Sequence, residues 1–498
     1  MRKIQKLIFA LLCGVLVVLA TSAGLYEYVA ADSPRRAQIL FLGHAGNPTH
    51  NPTKMAATLA IPLFQKGINI TYTADTTDLN AENLAKYDGL MIYANIKTLS
   101  PAKEKALKDF VESGKGFIPI HAASATFNNS AWYVGAVGGT FKRHDRANVF
   151  KVTNVNTAHP VMAGVEEYSA FDEPYEHGDI NPDKTVLQER IAPDGTHEPW
   201  TWIRNQGKGR VFYTAGGHND STWLQPAYQK LVANGILWAV GDQVSKQVAA
   251  FHPPIPRFND TIIVPDYQRR KQSPKFQYAF TPQESMALTE PLVDFEVKLF
   301  ASEPDIVNPI AMSWDERGRL WVIESVDYPN TFLETDGASN DRIKICEDTN
   351  GDGKADKFTV FADKLNIPTS IVFVNGGALI SQAPYFVFLK DTNGDDKADV
   401  RENVLNGWFK NDTHFGPSNL QYGFDNKVWG VIGTSFAGTT KDGKAVSFRQ
   451  GIYSLNADGT NLKFLASQTN NNWGLGFTED NQVFASTANG DHSDYYSM

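Results

Sequence analysis

The chain has 498 residues, 42% of them hydrophobic and 20% charged, an ordinary globular balance at a length that calls for two or three domains. A formal net charge of -9 with no Lys/Arg stripe excludes a binder of the phosphate backbone, so no nucleic-acid partner is expected. The two cysteines, Cys13 and Cys346, form neither a haem-attachment motif nor a cysteine zinc pattern, and no haem is expected.

At the N-terminus, Arg2, Lys3 and Lys6 precede an apolar run from Leu7 to Leu25, and Val29-Ala30-Ala31 offers small residues for cleavage before Asp32. The run is also long enough for a single membrane anchor. Residues 1–31 therefore read as a signal peptide or an anchor. Both readings put the rest of the chain in a periplasm or outside the cell, touching a membrane only through this segment.

Residues 37–242 alternate strand and helix signals. Ile39–Leu42, Asn69–Thr73, Gly89–Tyr93, Gly116–Ile120 and Arg210–Thr214 are short buried-type strands. Helices are predicted from Pro52, with Met55, Leu59 and Leu63 on one face, from Pro101 to Gly114, and from Pro226 to Val240. This alternation predicts a three-layer α/β domain with a parallel sheet covered on both faces. Pro253, Pro254, Pro256, Pro265 and Pro274 punctuate a polar stretch over 243–287, read as a surface linker. Residues 288–498 are all-β. Four strand–turn–strand units begin near Ile310, Ser370, Leu420 and Gly474. Their spacing of about 50–60 residues suits β-propeller blades, and four copies predict an incomplete propeller.

Three histidines follow predicted strands of the first domain directly: His44, His121 and His218. In an open parallel sheet, groups just beyond the carboxyl ends of strands share the rim where ligands bind. The run Phe171-Asp172-Glu173-Pro174-Tyr175-Glu176-His177 adds loop carboxylates, and His144 and His159 lie in connecting segments. His159 precedes Pro160 and reads as structural.

These residues carry a resemblance. Gly116-Phe117-Ile118-Pro119-Ile120-His121-Ala122-Ala123, Trp132-Tyr133, Gly138-Gly139-Thr140-Phe141, His144, His159-Pro160, Asp172-Glu173-Pro174-Tyr175, Pro199-Trp200, Gly207–Tyr213 and Gly217-His218 together resemble the ThuA-like (trehalose utilisation) family. The resemblance implies a fold similar to class I glutamine amidotransferases and a link to disaccharide and keto-sugar metabolism. His121 stands where those enzymes place a cysteine, and the domain contains none, which excludes glutamine thioester chemistry. The partner implied is a small-molecule carbohydrate. Imidazoles beside a carboxylate bind a divalent metal or move protons near neutral pH. The candidate residues are His121, His218 and Glu173, then His44 and His144. The alternative is that they are hydrogen-bonded structural residues of a sugar pocket.

Two acidic loops follow strands of the second domain. Asp348, Asn350, Asp352 and Asp356 mimic the first part of an EF-hand calcium loop, as do Asp391, Asn393, Asp395 and Asp399. Each departs from the full pattern: Thr359 stands at the twelfth position of the first, and Asp396 where the second needs glycine. Both remain open between calcium sites and polar hairpin turns. With Asn308–Asp315 and Trp321–Glu324, they resemble the propellers of membrane-bound dehydrogenases of the sorbosone and glucose type. That resemblance implies pyrroloquinoline quinone if the propeller is complete, with a separate electron acceptor. His414 is the candidate base there and His492 a second. Three readings stay open: a carbohydrate-acting ThuA-like site, a quinone-dependent sugar dehydrogenase, and a non-catalytic binder of glycans or proteins.

Overall fold

The computed structural model describes residues 33–44, 50–178, 181–266, 269–328, 338–410, 412–490 and 492–497. Residues 1–31, read as a signal or anchor, lie outside the described residues. The chain divides into two compact units, Met1–Val297 and Lys298–Met498.

The first unit is built on a nine-stranded sheet. Its parallel half holds β1 (Ala37–Leu42), β2 (Ile68–Thr73), β3 (Gly89–Ile92) and β4 (Gly116–Pro119), and it is joined by a later strand, Gly209–Thr214. These strands are short apolar runs because both sheet faces are covered, so neither face needs polar residues. The helix Pro52–Phe64 buries Met55, Leu59 and Leu63 as the spacing predicts, and Asn51 caps it by accepting from the Lys54 N–H.

The expected parallel sheet covers only half of what forms. In chain order come β5 (Thr140–His144), β6 (Asn148–Asn154), β7 (Tyr168–Asp172), β8 (Tyr175–Gly178), β9 (Thr185–Ile191), β10 (His197–Gln206) and β11 (Gly209–Thr214). The full order is β2-β1-β3-β4-β11-β10-β9-β6-β7, and β10, β9, β6 and β7 pair antiparallel. The reason is connection length. Gly207-Lys208 joins β10 to β11 directly, and a parallel pair would need a crossover of a dozen residues or more. β5 and β8 form a separate two-stranded ribbon.

The stretch read as a linker is not bare. It opens inside a helix, Asp242–Ala250, and carries a hairpin of Phe258–Ile263 with Lys275–Gln277 and a helix Pro282–Ala287. The division between the units falls at Val297–Lys298, beyond the predicted residue 287. Val293 explains part of this, since it packs against the core of the first unit.

The second unit is a four-blade propeller-like arrangement. Three antiparallel sheets have four strands and the fourth has three. Each repeat read from the sequence is the first hairpin of a blade: Pro309–Trp314 with Leu320–Glu324, Ser370–Val374 with Gly377–Gln382, Pro417–Tyr422 with Val428–Thr439, and Asn472–Phe477 with Val483–Thr487.

Candidate functional site

The parallel strands end at one rim, and the residues just past those ends meet there. His44 follows β1. His50 stands just before the Asn51 cap of the next helix. His121 follows β4 and opens a tight 3-10 turn, His121–Ala125, at φ 45°, a left-handed conformation that costs a non-glycine residue about 1–3 kcal/mol. His218 follows β11, and Glu173 follows β7.

Glu173 is the hub. Its Oε2 lies 3.5 Å from His121 Nε2 and 3.3 Å from His218 Nδ1, and its Oε1 lies 3.5 Å from His144 Nε2. His218 Nδ1 is also 3.4 Å from His50 Nε2. The ligand-capable atoms of His50, His121, Glu173 and His218 all lie within 4.8 Å of one another, the one such group among the described residues.

The surroundings orient these groups. His121 Nδ1 sits 2.7 Å from the Ala215 carbonyl oxygen. A carbonyl only accepts, so Nδ1 carries the proton and Nε2 presents its lone pair to the cluster. That Nε2 is buried and has no hydrogen-bond partner. Tyr175 stacks on the His121 ring at 4.2 Å. Behind the rim, Tyr93 and Trp223 both donate to the Gly217 carbonyl at 2.8 Å. Gly217 itself has φ 138°, and a Cβ there would stand 3.3 Å from the His121 Cβ.

Asp172, fully buried beside Glu173, fastens the two loops together. Its Oδ1 accepts from the backbone N–H groups of Glu173 (2.8 Å) and His218 (3.0 Å). Its Oδ2 accepts from the Gly217 N–H (2.9 Å) and the Thr222 hydroxyl (2.7 Å).

Charge follows from this packing. Burial, with the neighbouring His121 and His218, pushes His50 down to about 3. Burial likewise lowers His218 and His44. For Glu173, burial acts upward, but the imidazoles of His121, His218 and His144 outweigh it and hold the carboxyl below its ordinary range. The cluster is thus a carboxylate held low beside imidazoles, of which burial lowers His50 and His218, a donor set suited to a divalent cation.

Of the residues named from sequence, His121, His218 and Glu173 come together. His144 on β5 touches Glu173, stacks on Tyr175 and stays partly exposed. His44 lies at the edge. Its ring is 6.3 Å from that of His50 and its Nδ1 accepts from the Asn95 N–H, so it is outside the close quartet. His159 caps the turn at Pro160 by accepting from the Val161 N–H. His414 is exposed, and its Nδ1 lies 2.6 Å from Asp412. His492 rests against the Ser493 hydroxyl.

His50 was missed by sequence reasoning. It shares with His44 the first strand-to-helix connection, and every such connection in an open sheet reaches the rim. That signal was present and would have found it.

The acidic loops turn their oxygens inward. Asp348 accepts from the N–H groups of Gly351, Asp352 and Gly353, Asn350 from Asp352, Asp352 from Lys354, and Asp356 from Thr349. Asp391, Asn393, Asp395 and Asp399 repeat the scheme. Asp396 takes the place of glycine without changing the turn: its φ is 62° where Gly353 has 86°.

Comparison with known proteins gives each unit a relation. Residues 38–239 match the family described as Trehalose utilisation (ThuA), and residues 281–498 match a domain of unknown function (DUF7133). Among solved structures, a ThuA-like protein of Bacteroides uniformis is 22% identical, with 41% of this chain and 91% of that chain covered, at a TM-score of 0.36. A ThuA-like protein of Parabacteroides merdae is 15% identical, with 41% and 90% covered, at a TM-score of 0.37. A β-galactosidase of Rahnella is 14% identical, with 40% and 31% covered, at a TM-score of 0.32. No curated protein matches the chain. By the match over residues 38–239 the first unit holds a ThuA-like domain, which suggests a carbohydrate-related function for that unit.

Proposed function

We propose that the ThuA-like domain binds a sugar or keto-sugar over the Glu173 cluster and moves a proton between a carbonyl and its neighbouring carbon. The observation that supports this best is the convergence of imidazoles from distant strands on one carboxylate at the carboxyl rim. His144 is the proton carrier in this reading. It is the partly exposed imidazole against Glu173, and imidazole takes up and returns protons near neutral pH. The proton leaves the hydroxyl-bearing carbon beside the carbonyl and returns to the former carbonyl carbon, while the hydroxyl proton passes to the carbonyl oxygen, so the step needs no oxidant. His44 holds the neighbouring loop at the rim by accepting from the Asn95 N–H through Nδ1. Tyr175, buried between His121, Phe141 and His144, fixes the ring planes of both histidines. The basic and apolar N-terminal residues support a site of action outside the cytoplasm.

The test is exchange of carbon-bound hydrogen in deuterated water, with a panel of keto-sugars and the full chain. Exchange that falls at least tenfold in His144→Ala, within the usual contribution of about 10²–10⁴ for a positioned acid–base group, supports the reading. Binding without exchange, or turnover unchanged by His144→Ala, overturns it.

A further inference from the structure

We infer that His50, His121, His218 and Glu173 form a binding site for one divalent transition cation of the zinc class. This rests on reading the rim as the working site, and it adds His50, which no family motif above includes.

The first support is spacing. Three adjacent pairs of donor atoms lie 3.5, 3.3 and 3.4 Å apart: His121 Nε2 to Glu173 Oε2, Glu173 Oε2 to His218 Nδ1, and His218 Nδ1 to His50 Nε2. Bonds of about 2.0–2.1 Å in a tetrahedral site place neighbouring ligand atoms about 3.4 Å apart. Three nitrogens and an oxygen at these separations surround a space of the size one cation fills.

The second support is the tautomer of His121. Its Nδ1–H is committed to the Ala215 carbonyl, the arrangement by which metal-bound histidines are fixed and made more basic. Its Nε2 is left buried and unpartnered, facing Glu173. A buried acceptor with no donor is costly unless something positive reaches it.

The third support is composition. Three imidazoles and one carboxylate match zinc-class cations and not calcium or magnesium, which take oxygen ligands. Asp172 supplies the outer layer by holding the backbone of both Glu173 and His218. His144 touches the other oxygen of Glu173 and lies outside the close quartet, with its Nδ1 on the Asp145 carbonyl at 2.9 Å.

The experiment uses the full chain, stripped with chelator and titrated with Co²⁺ alone and Zn²⁺ alone. The expected result is one equivalent of Co²⁺ with visible bands of nitrogen and oxygen coordination, displaced by Zn²⁺. His50→Ala and Glu173→Gln should each weaken binding at least about a hundredfold, beyond the 10–100-fold typical of outer-shell changes. Asp348→Asn, in the second unit, should leave it intact. Absence of the cobalt bands in the unaltered chain overturns the inference, even if a variant fails to fold. So does binding that survives both His50→Ala and Glu173→Gln. Metal bound without any sugar exchange defeats the proposed function alone, and sugar exchange in a chain that binds no metal defeats this inference alone.

Discussion

Asp172 and His218, 46 residues apart, are joined by a 3.0 Å bond from the His218 backbone N–H to the buried Asp172 carboxylate. The same carboxylate takes three further donors: the N–H groups of Glu173 and Gly217 and the Thr222 hydroxyl. One side chain therefore sets the positions of two members of the cluster without facing the cluster itself.

Asp172→Asn turns an acceptor-only group into one whose amide nitrogen must face N–H or O–H donors. The expected loss is about 1–3 kcal/mol of stability, read by denaturant unfolding. Cobalt affinity should fall with it. A positioning role predicts that Asp172→Asn weakens metal binding more than a surface variant destabilised to the same degree.

Gly217→Ala should be costly for two reasons. Its φ of 138° disfavours any side chain, and the added Cβ would stand 3.2 Å from Trp223 and 3.3 Å from both His121 and Tyr228. A loss of about 1–3 kcal/mol is expected. A melting temperature equal to that of the parent chain would contradict the packing described.

Acid should loosen the first unit through His177. Burial lowers His177, although its contact with Glu198 pulls the other way. Lys184, Tyr213 and His121 are its other polar neighbours. Below about 6.5 the unfolded chain takes up a proton that the folded one resists, so stability rises with pH and is lost as pH falls. Glu198, held below its ordinary range by His177 despite burial, loses its contribution further down as it is protonated. Melting followed from pH 7.5 to 5 in chelator should show this decline, and His177→Gln should flatten it.

Removing metal should lower the melting temperature of the first unit and adding Zn²⁺ should restore it. A ligand at a hundred times its dissociation constant stabilises by about 2.7 kcal/mol. Glu173→Gln should abolish the Zn²⁺-dependent shift, which differential scanning calorimetry would read directly.

In the second unit, Asp348→Ala removes the acceptor for the N–H groups of Gly351, Asp352 and Gly353. These bonds organise the turn from within, so a lower melting temperature is expected in chelator as well as in calcium. An effect seen in calcium alone would show that the ion, and not the turn, is what Asp348 serves.

Much of the architecture was readable in the chain. Ile39–Leu42, Gly89–Ile92 and Gly116–Pro119 are apolar runs bounded by turn residues, and they became the strands that form the rim. The blade hairpins announced themselves by repetition, each with an Asp, Asn or Gly turn between apolar strands. The antiparallel half of the sheet was not readable in the same way. β6, β7 and β9 mix exposed and buried residues, and nothing local says that they extend the same sheet.

Residue order alone determined which histidines could reach the rim, because a strand-end position is a matter of local pattern and a parallel sheet gathers its strand ends. It also excluded glutamine thioester chemistry, because no cysteine lies in the domain. Tertiary structure alone decided which imidazoles close on Glu173. His50 entered the group and His44 was left at its edge, although both lie in one connection, because ligand distances of a few ångströms depend on how the loops pack against Asp172 and Ala215. Backbone periodicity places a residue on a rim; only the packed side chains place one atom against another.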